Sequence, residues 1–339
     1  MTVGSSNTLE HVIGPTGRFH LRLLSGSIVV HGVDGDRVRV REKSGKAIAD
    51  VFRIEAGEGS LSLTSPDRGG IDLIVFGIGR RSSLDLEVDV PRGADVTIET
   101  ASAELAGGGL GGRSKVRTAS GDIELIELGG SLELDAVSGD VDIRATGPLD
   151  LRARTISGDC SIRASELGRA TVESTSGDIR LDALLAGPGP FEIQTVSGDV
   201  TIVGRGGVRV EARTVTGDLR SDLPHRLDTS PGRKQLIVGD GGTAIGFRSV
   251  SGDLRVVAPR DQDLAPVPRT AGSSPVALSS GAPAAPAPPA APDPTEAARA
   301  VSGHEAGHEV ARLDILRALE RGELSVEAAM KRLADIEEA

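Results

Sequence analysis

Three features of this sequence point to an all-β solenoid with coils of about 19 residues. The first is a tripeptide, Ser-Gly-Asp, whose glycine recurs at Gly121, Gly139, Gly158, Gly177, Gly198, Gly217 (as Thr-Gly-Asp) and Gly252, with gaps of 18, 19, 19, 21, 19 and 35 residues. A fixed period in that range is the signature of stacked repeats in which each repeat is one coil. The second is period-two apolar spacing on both sides of each tripeptide, as in Leu149, Leu151, Ala153 upstream and Val141, Ile143 downstream, which marks strands with one buried face. The third is composition: no Trp, no Tyr and five Phe suit thin coils filled by Val, Ile, Leu and Ala.

Each coil therefore reads as strand, Ser-Gly-Asp corner, strand, Gly-rich corner. The second corner falls about half a period later, at Gly129-Gly130, Gly147-Pro148, Gly168, Gly187-Pro188 and Gly206-Gly207. Glycine takes positive φ without a Cβ clash, and Ser and Asp side chains bond nearby backbone groups, so turn chemistry accounts for the residue types. Stacking places Asp122, Asp140, Asp159, Asp178, Asp199 and Asp218 in a ladder. At an inter-strand spacing of about 4.8 Å, neighbouring carboxylates repel by roughly 0.9 kcal/mol even at the dielectric of water. Three offsets stand open: hydrogen bonds from backbone N–H groups and hydroxyls, a bound Ca²⁺, or a partner. The Gly-Gly-x-Gly-x-Asp pattern of calcium-binding rolls is absent from the sequence.

Residues 1–100 continue the β character without the clean repeat and are expected to form an irregular cap with the first coils. Ser27–Gly32, Arg37–Arg41, Phe52–Glu55, Leu61–Leu63, Ile71–Phe76 and Leu84–Val90 read as strands, and Ser102-Ala103-Glu104-Leu105 as a degenerate first corner. A solenoid end exposes unpaired strand edges, which a cap covers. The regular coils span residues 101–257. From 258 to 295 the composition changes: the stretch from Pro259 to Pro294 holds ten of the chain's eighteen prolines among Ala, Ser and Gly, the signature of a disordered, semi-extended linker.

Residues 296–339 carry a helical signal. Val310, Leu313, Leu316 and Leu319 share one face, Gly322 is a stop, and Ser325 caps a second segment with Val326, Ala329, Met330, Leu333 and Ile336. A helical hairpin of this size has a marginal core, so the expectation is self-association through 296–339.

Candidate chemistry is sparse. His304-Glu305-Ala306-Gly307-His308 matches H-E-x-x-H, in which two histidines one helical turn apart hold Zn²⁺ and the glutamate acts as base. A zinc-dependent hydrolase on His304, Glu305 and His308 is the alternative reading, with Glu323 or Glu327 as a third ligand, yet only 31 residues follow to build a cleft. A calcium-binding solenoid is the other alternative. His11, His20, His31 and His225 show no ligand-like spacing, and no G-x-S-x-G elbow or phosphate-cradling loop occurs. The absence of Trp and Tyr removes sugar-stacking platforms. Cys160 stands where other repeats carry Ile123, Val141 or Ile179, which makes it a small core residue. The expectation is no catalytic, cofactor-binding or metal site, and no cofactor.

The net charge of −11 argues against nucleic acid as a partner. No apolar run reaches a membrane span and the polar start MTVGSSNTLEH has no signal-peptide core, so the expectation is a soluble cytoplasmic protein.

The run from Val88-Asp89-Val90-Pro91-Arg92-Gly93 through Thr118-Ala119-Ser120-Gly121-Asp122-Ile123, with the later Ser-Gly-Asp corners, resembles a bacterial β-strand-repeat family of unknown function often labelled as adhesins, over roughly residues 25–257. The segment Ile315–Ala329 resembles the short oligomerisation-type hairpin of some cell-envelope stress proteins. The resemblance implies a single-stranded right-handed β-helix without established enzymatic activity, in proteins tied to envelope stress or attachment. The resulting expectation is a non-enzymatic scaffold or binding protein with a protein partner.

Overall fold

The computed structural model describes residues 7–65, 83–230 and 233–259. The expected strand Ile71–Phe76, nearly all of the Pro/Ala-rich linker, the helical hairpin and the His304-Glu305-His308 motif lie outside the described residues.

Successive coils hydrogen-bond in parallel along two faces. Strands β7 (Asp95–Gly108), β9 (Ile123–Ala136), β10 (Val141–Ser157) and β11 (Cys160–Ser176) each run across both faces. Arg152 pairs with Glu133 and with Thr171, and Val141 with Ile123 and with Cys160, so the register advances by one repeat at each step. The first face, which precedes the Ser-Gly-Asp corner, also holds β8 (Arg113–Ser120) and β13 (Phe191–Ser197). The second face, which follows the corner, holds β12 (Ile179–Leu185) and β14 (Val200–Val203). Inward residues alternate strictly: Val141, Ile143, Ala145, Leu149, Leu151 and Ala153 of one coil are all buried. At roughly 1.5–3 kcal/mol for each fully buried large aliphatic side chain, this single file of Val, Ile and Leu supplies the core.

The second corner differs from the sequence expectation. β9, β10 and β11 continue through it as hydrogen-bonded strands, and the bend is taken up by register shifts between Ala145 and Pro148 and between Leu149 and Asp150. A bulge bends a strand without ending its ladder, so glycine there marks close approach rather than a loop.

The N-terminal part joins the stack earlier than its sequence suggests. β2 (Arg18–Val33) pairs in parallel with β7 along both faces and with β5 (Ser60–Thr64) and β6 (Leu84–Pro91) on its other side. Gly26, at φ +145°, stacks on Ala103 and makes Ser25-Gly26-Ser27 a true corner. Pairing then turns antiparallel: β4 (Arg53–Gly57) closes one face, and β3 (Arg37–Glu42) followed by β1 (Thr8–Val12) closes the other. A single helical turn, α1 (Ile48–Val51), follows β3.

At the other end the chain departs from sequence order. β15 (Val208–Thr216) and β16 (Leu219–Ser221) form the next coil in sequence, but they do not pair with β13 and β14. The last coil, β19 (Thr243–Ser251) and β20 (Leu254–Val257), lies between them: Thr195 pairs with Ser249, which pairs in turn with Thr214. The residues between form an antiparallel excursion, with β18 (Arg233–Val238) on β15 and β17 (His225–Ser230) on β18. The edge strand β17 is exposed throughout and carries Arg226 and Asp228, charges that oppose further edge pairing.

Candidate functional site

The Ser-Gly-Asp ladder is the feature the repeat makes most prominent, and its geometry is internally satisfied. The Asp140 N–H donates to Asp122 Oδ1 (3.0 Å), that of Asp159 to Asp140 Oδ1 (2.9 Å), that of Asp178 to Asp159 Oδ1 (2.9 Å) and that of Asp199 to Asp178 Oδ1 (2.8 Å). The ladder then passes to the inserted coil: Asp253 N–H donates to Asp199 Oδ1 (2.9 Å) and Asp218 N–H to Asp253 Oδ1 (2.8 Å). Each such bond to a charged acceptor is worth about 1.5–3 kcal/mol, more than the roughly 0.9 kcal/mol of repulsion between neighbouring carboxylates. The backbone N–H offset anticipated from turn chemistry is thus the one found. At the far end Arg220 lies 3.1 Å from Asp218 and 3.9 Å from Asp253, adding positive charge.

The other two residues of the corner have equally local reasons. Ser120 and Ser138 hydroxyls donate to the carbonyls of Ala101 and Ala119 in the preceding coil. Gly139, Gly158, Gly177 and Gly198 have φ between +110° and +133°, and a Cβ on any of them would sit 2.2–2.4 Å from the carbonyl oxygen of the glycine one coil before. Among the described residues no group of three or more His, Cys, Asp and Glu side chains is placed to hold a metal ion. His11, His20 and His225 each bond locally, to Gly57 O, Ser62 Oγ and Leu223 O, and are not brought together. Cys160 is buried between Val141 and Ile179; burial, with Asp142 and Asp159 nearby, pushes its thiol up to about 12.

The outward side of the first face is the surface with the most developed character. Counted along the axis, one row of side chains reads Thr64, Arg22, Glu99, Arg117, Asp135, Arg154, Glu173, Gln194 and Arg248. Signs alternate over six consecutive coils, with Arg117 3.5 Å from Glu99 and 3.4 Å from Asp135, and Arg154 2.9 Å from Glu173. The row on its corner side is apolar except at Thr175: Leu24, Ala101, Ala119, Val137, Ile156, Thr175, Val196, Val250 and Val215, with the five Val and Ile side chains here 48–79 % exposed. Between these rows runs a groove of about 1040 Å³. A parallel groove of about 610 Å³ lies on the far side of a third row that includes His20, Thr97, Lys115, Glu133, Arg152 and Thr171. There Lys115 lies 2.7 Å from Glu133 and its hydrogen bond holds that carboxyl below its ordinary value, against the opposing effect of burial.

The alternation of sign along the charge row is hidden in a linear sequence, though the signal is present. Every charged residue from Arg117 to Arg248 stands four positions before its corner glycine, and every apolar one two positions before it. Aligning the repeats on glycine displays both columns.

Two parallel faces, one stacked corner and antiparallel caps define a β-solenoid repeat protein. The chain belongs to the Toastrack DUF4097 family, whose model matches residues 25–257. No curated protein matches the chain. Similar solved structures include a Clostridium sporogenes chain named a "putative cell adhesion protein" (10% identity, 75% of this chain, 99% of that one, TM-score 0.23). Others are a Bacteroides fragilis "putative adhesin" (12%, 74% and 95%, TM-score 0.30) and a Parabacteroides distasonis "putative lipid binding protein" (12%, 76% and 98%, TM-score 0.29). Among the described residues no helix is long and apolar enough to cross a membrane.

Proposed function

We propose that the protein is a non-enzymatic binding scaffold whose first face docks a protein partner. The observation that carries this reading is the apolar row Leu24 to Val250 standing exposed beside a charge row that sums to zero from Arg22 to Glu173. Contiguous exposed apolar surface rimmed by polar groups marks interaction sites. The rigid parallel stack holds those side chains at fixed spacing, which lowers the ordering cost of binding. The same reading assigns residues 296–339 to self-association, gives the coils the right-handed winding usual for parallel crossovers, and places the protein in the cytoplasm with a link to envelope-stress signalling. The test is capture from native cells on immobilised full-length chain, compared with Ile156→Glu. A partner retained by the native chain and lost by the variant supports the reading; equal capture, or none, rejects it.

A further inference from the structure

We propose that the first face is a contact surface between two copies of this chain, packed with their solenoid axes antiparallel. This rests on the reading of that face as a docking surface and names its occupant. Two identical solenoids can meet face to face about a two-fold axis in two ways. If the two-fold runs parallel to the solenoid axis over the charge row, each coil meets its own equivalent, and Arg117 faces Arg117 while Glu99 faces Glu99. If it lies along the strands, the axes run antiparallel and the order of coils is reversed. Like charges that face one another across the contact repel, so the sign sequence discriminates between the two.

The reversed order is self-complementary. With the two-fold between the coils of Arg117 and Asp135, those two residues face one another, Glu99 faces Arg154, Arg22 faces Glu173, and the neutral Thr64 faces the neutral Gln194. The third row agrees, because Lys115 faces Glu133. The apolar row also agrees, in size: Ala119 meets Val137 and Ala101 meets Ile156, small against large. The outermost row does not match, since Arg18 would face Arg169 and Asp95 would face Asp150. The contact is therefore confined to the three rows nearest the corner.

Charge elsewhere explains the choice of face. A chain of net charge −11 repels its own copies, and the acidic corner ladder concentrates that repulsion. The alternating rows sum to zero. Eight coils at about 4.8 Å and three rows at about 7 Å give roughly 800 Å² per copy, or about 1,600 Å² in all, the standard size of specific interfaces.

Sedimentation velocity of the full-length chain should show a concentration-dependent dimer, weakened at least tenfold by Ile156→Glu with the circular dichroism spectrum unchanged. Orientation is read by mixing two single variants, Ala119→Cys and Val137→Cys; native Cys160 is buried and does not compete. Cross-links between the two variants should outnumber those within either. A monomer at all concentrations, a dimer indifferent to Ile156→Glu, or cross-links formed mainly within one variant would each overturn the proposal. If the chain is monomeric yet still captures a cellular protein that Ile156→Glu loses, the docking reading survives and the self-contact fails; if it captures nothing, both fail.

Discussion

Replacing Gly158 by alanine separates the two reasons for glycine at the corner. Gly158 has φ +112°, and its added Cβ would lie 2.3 Å from Gly139 O and 2.8 Å from Gly139 C. Backbone strain at such a φ costs about 1–3 kcal/mol for a residue with a side chain. The overlap adds a further cost of about 1–3 kcal/mol, because relieving it moves one coil against the next through a continuous ladder. The sum, about 2–6 kcal/mol, is a large share of a typical domain's stability. Two controls divide it. Gly35 has φ +143° with nothing within 4 Å of a new Cβ, so Gly35→Ala bears the strain alone. Gly206 has open space and no left-handed φ, so Gly206→Ala should stay within about 1 kcal/mol of the native chain. Urea-unfolding midpoints should fall in the order Gly206→Ala, Gly35→Ala, Gly158→Ala, the last lowest. If Gly158→Ala loses no more than Gly35→Ala, close stacking of the corners is not what demands glycine.

Further outcomes follow from single contacts. Asp182 is fully buried with Arg205 Nε 2.5 Å away, so Arg205→Met should cost about 3–5 kcal/mol, and adding Asp182→Leu should recover most of it, read as midpoint shifts. The raised folded pKa of Cys160 means that its contribution is complete below the ordinary thiol value of 9.0 and is lost as pH climbs toward about 12. Cys160→Val should therefore flatten the alkaline fall in stability between those values, and the native thiol should resist aqueous thiol reagents at pH 8 until the chain unfolds. Because the corner carboxylates already accept backbone N–H groups, the melting temperature should be indifferent to added Ca²⁺ and to chelator; a rise with Ca²⁺ reversed by chelator would restore the ion-filled ladder.

What the sequence disclosed is what local chemistry controls. The corners at Gly121 to Gly198 repeat because each must turn the chain against a copy of itself, so one tripeptide recurs at nearly fixed spacing. Cys160 was readable as core because its column holds Val141 and Ile179. The corner at Gly26 was not, because Ser27 replaces the aspartate and β3 to β6 intervene before the next coil. The order of the last coils was also hidden. Gly217 follows Gly198 by 19 residues and invites direct stacking, yet Gly252 carries the same corner and occupies that place. Two coils with the same motif compete for one neighbour, and a local period cannot choose between them. The charge row is hidden for a different reason: each outward residue looks like an ordinary solvated charge until the coils align it with its neighbours.

The corner ladder runs from Asp122 through Asp199 to Asp253 and only then to Asp218. Amide hydrogen exchange in an Asp199→Ala variant tests it most directly, because each carboxylate protects the N–H of the coil stacked next to it. The Asp253 amide should lose protection while that of Asp218, held by Asp253 Oδ1 at 2.8 Å, keeps it. Loss of protection at Asp218 with Asp253 unchanged would mean that the coils stack in sequence order, with Asp218 rather than Asp253 on Asp199.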